Sequence, residues 1–196
     1  MKDEMTVVAF LEAARQEVHD SILSNVTDRT HEQFLWRPNP ETSNIAYLLW
    51  HLVRIEDLTI QTQFRKVPLI YEAEGWVNKL GLDPRRPVGL TPEQLDAIVY
   101  RLEDFLPYAH NVWNSTSDVL KGMQDEDLEQ PVDIEDLPQV TSVGALFRMV
   151  LVSHPWRHLG EILYIKQLQG WRYHLQAKPT VRRWPLQSAK LGATGR

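Results

Sequence analysis

Apolar residues recur at steps of three and four in four long segments of the sequence, and this periodicity constrains the fold more than any other feature. Val7, Leu11 and Val18 lie on one side of the first helix, which we predict over residues 5–25. No segment shows the alternation of apolar and polar residues that is typical of a half-buried strand. The sequence therefore predicts an all-α protein, a helical bundle whose apolar faces meet in one core.

Capping residues and helix breakers predict where the second and third helices begin. Ser43 is the predicted N-cap of the second helix, which runs to about Arg65. Thr91 and Pro92 combine a capping hydroxyl with a proline at the first helical position, so we expect the third helix to begin there. Pro107 lies inside this third segment and predicts a kink, because proline removes one backbone hydrogen bond.

The fourth helix is predicted from Ser142 to Gly170, with a second kink at Pro155. Two long connections separate the predicted helices. Residues 27–42 are polar and contain prolines, so we expect a loop with one helical turn. Residues 67–90 contain six proline or glycine residues, which predicts a long loop insert between the second and third helices.

The chain of 196 residues is expected to form one domain, with a bundle over about residues 5–170 and a basic tail over about 171–196. No stretch approaches the roughly 20 apolar residues of a membrane span. The charged start of the sequence also lacks the apolar run of a signal peptide. We therefore expect a cytoplasmic protein that does not enter a membrane.

Charge is distributed unevenly around a net value of −5. Seven acidic residues and one lysine lie between Lys121 and Leu137, whereas residues 171–196 hold six basic residues and no acid. We interpret these segments as a solvated acidic loop and a basic tail. The negative net charge argues against a nucleic-acid partner. Nucleic-acid contact through the tail is the weaker alternative, and it would use Arg172, Lys178, Arg182 and Arg183.

The residues best suited to chemistry lie in the fourth helix. His154 and His158 are one turn apart, and Glu161 follows on the same side, which is also the apolar side of the helix. We expect all three polar groups to point inward, where each needs a partner because burial without one is costly. A divalent metal ion would satisfy both imidazoles, and a pair of hydrogen-bonded core histidines is the alternative interpretation.

A third histidine, His51, falls at the edge of the inner face of the second helix. Facing helices of a bundle lie close enough for their side chains to share an ion. Three neutral imidazoles leave a coordination position open, as in catalytic rather than structural metal sites. His110 borders the inner face of the third helix and is the reserve ligand. We expect the remaining histidines to be exposed: His19, His31 and His174.

Composition and spacing exclude several other kinds of site. The chain has no cysteine, which excludes thiolate metal clusters and a cysteine nucleophile. Pro155 stands where a zincin helix needs a glutamate. No histidine follows a glutamate by three positions, as a di-iron carboxylate bundle requires. The sequence also lacks a phosphate-binding glycine loop and a Gly-x-Ser-x-Gly elbow.

Three motifs, in their order and separation, resemble those of the DinB-like superfamily, also called the DinB/YfiT-like metalloenzymes. They are residues 36–38 (WRP), residues 43–52 (SNIAYLLWHL) and residues 154–162 (HPWRHLGEI). The resemblance covers about residues 5–170 and implies an up-down-down-up four-helix bundle that is often dimeric. It also implies that a divalent ion, commonly zinc or nickel, is held by His51, His154 and His158.

Some members of this superfamily resemble thiol-dependent S-transferases or mycothiol-dependent isomerases, and many are described as metal-dependent hydrolases without a known substrate. We therefore hypothesise an enzyme in which a metal-activated water or the thiolate of a cosubstrate attacks a small electrophilic molecule. We predict a pocket walled by Trp50, Trp76 and Trp156. Glu161 is the candidate catalytic residue, as a general base or, as we favour, as the hydrogen-bond partner that orients a ligand histidine.

The second hypothesis is a metal-binding or stress-response module without turnover. It rests on the absence of any catalytic base in the sequence that is as well placed as Glu161. The partners expected under the first hypothesis are a small-molecule substrate and a low-molecular-weight thiol. A homodimer is expected from the resemblance.

Overall fold

The computed structural model of the protein describes residues 5–82, 90–134 and 137–171. These ranges are mostly helical and contain no β-strand, which confirms the predicted all-α class for the part of the chain they cover. The α-helices are α1 (Val7–Val26), α2 (His31–Leu35), α3 (Ile45–Asp57), α4 (Ile70–Ala73), α5 (Trp76–Leu80), α6 (Pro92–Asp96), α7 (Leu102–Lys121), α8 (Val143–Phe147) and α9 (His154–Leu168). Two π-helical segments and a 3₁₀-helix complete the described helical structure: Leu58–Phe64, Arg148–Ser153 and Asp125–Glu129. No helix in these ranges combines the length and apolar character needed to cross a bilayer.

Helix α1 begins after Thr6, whose hydroxyl accepts a hydrogen bond from the amide of Ala9 at 3.1 Å. The two carboxylate oxygens of Asp125 accept from the amides of Val7 and Val8, both at 2.9 Å. A carboxylate at this position stabilises the helix because the N-terminal end of the helix dipole is positive. The predicted acidic loop therefore contributes a cap to the first helix, besides facing solvent.

Helix α3 is capped by Asn44, not by the predicted Ser43. The side-chain oxygen of Asn44 accepts from the amide of Tyr47 at 2.7 Å, and its amide donates to the carbonyl of Leu35 at 3.1 Å. Asn44 is the cap because its side chain makes both contacts at once: it caps α3 and also connects α3 to the end of α2. The helical backbone continues through the π-helical segment 58–64 and ends at Arg65, close to the predicted end.

The insert between the second and third predicted helices is not a plain loop, because it contains α4 and α5. Gly75 separates these helices with φ of 72°, a left-handed conformation that glycine adopts at little cost. The buried carboxylate of Asp57 on α3 anchors the insert, since it accepts from the amides of Ile70 and Tyr71, both at 3.1 Å. Part of the predicted loop, residues 83–89, lies outside the described ranges.

The third predicted helix is interrupted before Pro107. Thr91 caps the short helix α6 through a capping box, as its sequence indicates, and α7 begins only at Leu102. Between them Ile98 and Tyr100 are buried while Val99 is exposed, an alternation that an extended backbone satisfies and a helix does not. Pro107 lies within α7.

The fourth predicted helix begins and ends where expected but is not regular. Ser142 caps α8 through the amide of Ala145, and Gly170 follows α9 with φ of 85°. The π-helical segment 148–153 ends two residues before Pro155, whose ring would meet the carbonyl four residues earlier in a regular α-helix. A wider turn before the proline relieves that clash, and such π-helical turns are recognised sites of helix bending.

Contacts between the helices bring α3 and the fourth predicted helix together. Tyr100 donates to the carbonyl of Ala46, Tyr108 to Asp57, and Gln61 to Ser115. The order of these contacts shows that α3 and the π-helical segment after it run parallel to α7. Buried apolar residues form two groups, and both α3 and the helix from 143 to 168 contribute to each. On the latter helix Leu151 belongs to one group and Leu159 to the other, with two histidines between them.

Candidate metal centre

Three histidines converge between α3 and α9, and we call them the three-histidine cluster: His51, His154 and His158. The Nε2 atom of His154 lies 2.9 Å from Nε2 of His51 and 2.9 Å from Nε2 of His158. One ligand atom from each ring lies within 4.8 Å of the others. The rings meet edge to face, with interplanar angles of 68°, 79° and 85°. Among the described residues this is the group of histidines and acids whose geometry suits a metal ion.

Local structure explains why these rings meet. His154 is the first residue of α9 and His158 follows one turn later, so both project from one side of the helix. His51 reaches them from α3, where it is 7% exposed. His154 and His158 are half-buried, so the cluster lies at the edge of the core.

Hydrogen bonds among the three rings do not satisfy this arrangement. A ring nitrogen offers either one proton or one in-plane lone pair. Nε2 of His154 faces two other ring nitrogens, so one proton serves only one of the two contacts. A cation among three lone pairs satisfies all of them, and nitrogens about 2.0–2.1 Å from one ion lie about 2.9–3.4 Å apart. The donor set and its spacing therefore fit a divalent metal ion.

Glu161 sets the proton on one of these rings. Its Oε2 lies 2.8 Å from Nδ1 of His158. A carboxylate only accepts, so Nδ1 carries the proton and the neutral ring directs the lone pair of Nε2 towards the other two histidines. The Glu161 side chain is 47% exposed, which corrects the expectation that it points into the core. Its flexible stem lets the carboxylate reach the outer edge of the ring while it stays in solvent.

Tyr47 stacks on His51, with ring centroids 5.7 Å apart. Burial raises the pKa of the Tyr47 hydroxyl, and the negative charge of Glu161 raises it further. The hydroxyl therefore stays protonated around neutral pH and can act as a hydrogen-bond donor near the cluster.

A cavity of about 210 Å³ opens onto His51 and His154. None of the three predicted tryptophans lines it among the described residues, so the predicted tryptophan walls are wrong for this cavity. Trp50 precedes His51 by one position and turns into the core, Trp76 is buried against Tyr108, and Trp156 is exposed. The two π-helical segments supply much of the wall instead, for example Leu58 and Met149.

The other histidines divide differently from the prediction. His19 was expected to be exposed, but it is buried and stacks on Trp113, with ring centroids 4.7 Å apart. His110, the predicted reserve ligand, is exposed and lies outside the three-histidine cluster. His31 is exposed as predicted, and His174 lies outside the described residues, as do the tail residues Arg172, Lys178, Arg182 and Arg183.

His19 belongs to a second polar group that the sequence reasoning missed, which we call the Arg15 cluster: Arg15, His19 and Glu56. Nε2 of His19 lies 3.1 Å from Glu56, and Nη1 of Arg15 lies 3.3 Å from the same carboxylate. Arg15 also pairs with Glu12 at 2.7 Å. A signal for this cluster was available, because Arg15 and His19 stand one turn apart within the apolar face of α1.

Comparison with known proteins gives a family and a fold. A family model described as the DinB superfamily matches residues 7–162. A solved structure described as the conserved protein of locus from Enterococcus faecalis has a TM-score of 0.73 and 18% sequence identity. The match covers 84% of this chain and 98% of that chain, so the two proteins share a fold. No curated protein matches the sequence significantly.

Proposed function

The chain belongs to the DinB superfamily, and we propose that it is a divalent-metal protein in which His51, His154 and His158 hold the ion. The observation that carries this proposal is the convergence of three ring nitrogens on one point, with Nε2 of His154 at 2.9 Å from both neighbours. Imidazole ligands suit zinc and nickel, and zinc or nickel is the ion we propose.

We propose further that the metal centre is enzymatic, as a hydrolase or a thiol-dependent transferase acting on a small electrophilic molecule. Three histidine ligands leave a coordination position for a reactant, as catalytic zinc sites do. An ion held in this way supplies Lewis acidity and lowers the pKa of a bound water or thiol. The adjoining cavity supports this assignment, because a purely structural site is normally closed by a fourth protein ligand.

Glu161 is proposed to be a positioning residue. Its contact with Nδ1 of His158 keeps the proton on that nitrogen and orients the ring, which is the usual role of a carboxylate behind a metal-binding histidine. This contact favours orientation over the general-base role, since the carboxylate is already engaged with the ring.

The remaining parts of the proposal come from the family. We propose an up-down-down-up four-helix bundle, a homodimer, and a low-molecular-weight thiol as cosubstrate for the transferase reaction, because the chain has no cysteine of its own. The directions of α1, α3, α7 and α9 implied by their hydrogen bonds support this topology. Light scattering with in-line chromatography tests the dimer.

Elemental analysis of the purified protein tests the metal centre. We expect about one zinc or nickel per chain in the wild type and a loss of most of it in His51→Ala and His158→Ala. His110→Ala is the matched control, because it removes an exposed histidine outside the cluster and should leave the metal content unchanged. Equal metal content in the wild type and His51→Ala would refute the proposed site.

A screen of the metal-loaded protein against hydrolase and thiol-transferase substrates tests turnover. Activity that His158→Ala abolishes supports an enzyme. Metal binding without turnover across the screen supports the alternative, a metal-binding or stress-response module without catalysis.

A further inference from the structure

The cavity beside the three-histidine cluster has a largely apolar wall. The apolar residues that line it are Ile55, Leu58, Ile134, Leu137, Met149 and Val150, and His51 and His154 line it as well. Two uncharged polar residues, Thr59 and Gln63, also line it. The described part of the lining contains no carboxylate. A molecule that enters this space meets mostly apolar side chains among the described residues, beside the two histidines.

Arg157 is the charged side chain among the described lining residues of this cavity. It lies on α9 between the two histidines of that helix, and it is exposed to solvent. Arg15 faces Glu12 and Glu56, and Arg37 faces Asp96. Arg148 lacks a carboxylate partner among the described residues too, but it lines none of the described cavities. No hydrogen bond or ion pair engages the Arg157 guanidinium within the described residues.

We propose that Arg157 binds the carboxylate of a small apolar acid whose body fills this cavity. A guanidinium presents parallel N–H donors that match the two oxygens of a carboxylate. The apolar wall then accommodates the rest of the molecule and orients it towards His51 and His154. This inference deepens the proposed function and rests on it only for the reaction; the binding itself needs the cavity and Arg157.

The size of the cavity limits the acid. Pockets for drug-sized ligands measure about 300–1,000 Å³, and an apolar cavity of about 150 Å³ is enough to bind benzene. A cavity of about 210 Å³ therefore suits one ring, or a branched chain of similar bulk, together with a carboxylate near its mouth. The substrate class we assign is a monocarboxylic acid of about this size.

Equilibrium binding of benzoate and of its neutral analogue benzamide tests the assignment. Calorimetric titrations at pH 8 would use the wild type, Arg157→Ala and Arg157→Lys, each in metal-loaded and chelator-treated form. We expect the wild type to bind benzoate about tenfold more tightly than benzamide, because a hydrogen bond to a charged group contributes at least that much. Arg157→Ala should lose this preference, and Arg157→Lys should keep part of it.

Arg148→Ala is the matched control, since Arg148 is an exposed arginine on the same helical unit that lines no described cavity. It removes the same charge and should leave the benzoate preference unchanged. An equal loss in Arg148→Ala and Arg157→Ala would assign the effect to general electrostatics and overturn the proposal. Failure of benzoate to bind the wild type saturably would overturn it as well.

The two forms of the protein separate this inference from the proposed function. An Arg157-dependent preference in chelator-treated protein supports the carboxylate site even if no metal is bound. Metal binding without any Arg157-dependent preference leaves the metal centre standing and refutes the carboxylate site. A preference seen only in the metal-loaded protein and unaffected by Arg157→Ala would assign carboxylate binding to the ion and also refute it.

Discussion

His19 and His158 each lie against a glutamate, yet the surroundings of the two pairs differ. In the Arg15 cluster, His19 and Arg15 share the carboxylate of Glu56, which is 2% exposed. In the three-histidine cluster, Glu161 stays half in solvent and the far side of the His158 ring faces two other imidazoles. The Arg15 cluster is buried, and its side chains contact one another as ion-pair partners. The three-histidine cluster lies beside a cavity, and its ring nitrogens converge on one point.

The difference shows how to separate a structural histidine from a candidate ligand. Burying charged groups is costly unless each has a partner, and the Arg15 cluster meets that requirement with groups of the protein itself. The three-histidine cluster instead directs three like groups at one point, where no protein acid lies among the described residues. Histidines that pair with charged groups of the protein hold helices together, whereas histidines whose ring nitrogens converge on one point suit a cation.

Removal of Glu56 should have the largest effect on folding. Glu56→Ala leaves the buried guanidinium of Arg15 and the ring of His19 without their shared carboxylate, although Arg15 keeps Glu12. We expect a loss of about 3 kcal/mol in the free energy of unfolding. Urea denaturation measures it, with the exposed Glu17→Ala on α1 as the control, expected to change by less than about 0.5 kcal/mol. A loss below about 1 kcal/mol for Glu56→Ala would mean that the cluster is not structural.

Zinc should stabilise the folded protein through one cluster only. At a zinc concentration about 100 times its Kd, the free energy of unfolding of the wild type should rise by about 2.7 kcal/mol. His154→Ala should lose this increment. His19→Ala should lower the stability without zinc but retain the increment, because His19 lies in the other cluster. A zinc increment that survives His154→Ala would remove the distinction between the clusters.

Removal of the exposed Glu161 should lower the metal affinity but change the free energy of unfolding little. Glu161→Ala removes the acceptor that holds the proton of His158, and we expect zinc affinity to fall about tenfold. Glu161→Gln should recover part of this loss, since an amide oxygen still accepts a hydrogen bond. Competition with a chromophoric chelator measures the affinity. Urea denaturation of the metal-free variant should differ from the wild type by less than about 0.5 kcal/mol.

Lowering the pH should change the free energy of unfolding least, because the protonated carboxyl group of Glu56 keeps its volume and some of its hydrogen bonds. Burial by itself raises the pKa of Glu56, but His19 and then Arg15 outweigh it and hold the pKa below the ordinary value of 4.5. Such a group stabilises the fold above pH 4.5 and loses that contribution as the pH falls towards its lower folded value. Burial raises the pKa of Asp57 above 3.8, so protonation of Asp57 acts in the opposite direction and offsets part of the loss.

Urea denaturation between about pH 3 and pH 6 measures how the free energy of unfolding depends on pH. This range brackets the ordinary pKa of carboxyl groups, which is about 4. Glu56→Gln should lose less stability than the wild type on acidification below pH 4.5. A variant with the same slope as the wild type would show that other carboxylates account for the acid sensitivity.

Local signals predicted much of the helical structure. Thr91, Ser142 and Gly170 mark helix ends as their residue types indicate, because a cap involves only neighbouring backbone groups. Choices that depend on distant partners were missed. Asn44 caps α3 in preference to Ser43 because it also reaches Leu35, and His19 is buried because Glu56, on another helix, faces it.

The candidate site was predicted in part for the same reason. Helical periodicity brought His154 and His158 to one face, and the structure brings His51 to them; that they hold a metal ion stays a prediction. The cavity was not predictable from periodicity, because π-helical segments rotate the following residues away from a regular wheel. The residues that line it, such as Leu58 and Met149, come from those segments in place of the expected tryptophans.

The distance along the chain between the candidate ligands has a kinetic consequence. His51 and His154 are 103 residues apart in sequence, whereas His154 and His158 share one helical turn. In a folding chain the pair on one helix can form early, but the third ligand arrives only when α3 has docked against α9. An ion bound by all three histidines would therefore lower the unfolding rate constant and leave the refolding rate constant almost unchanged. Its contribution would appear as a longer lifetime of the native state.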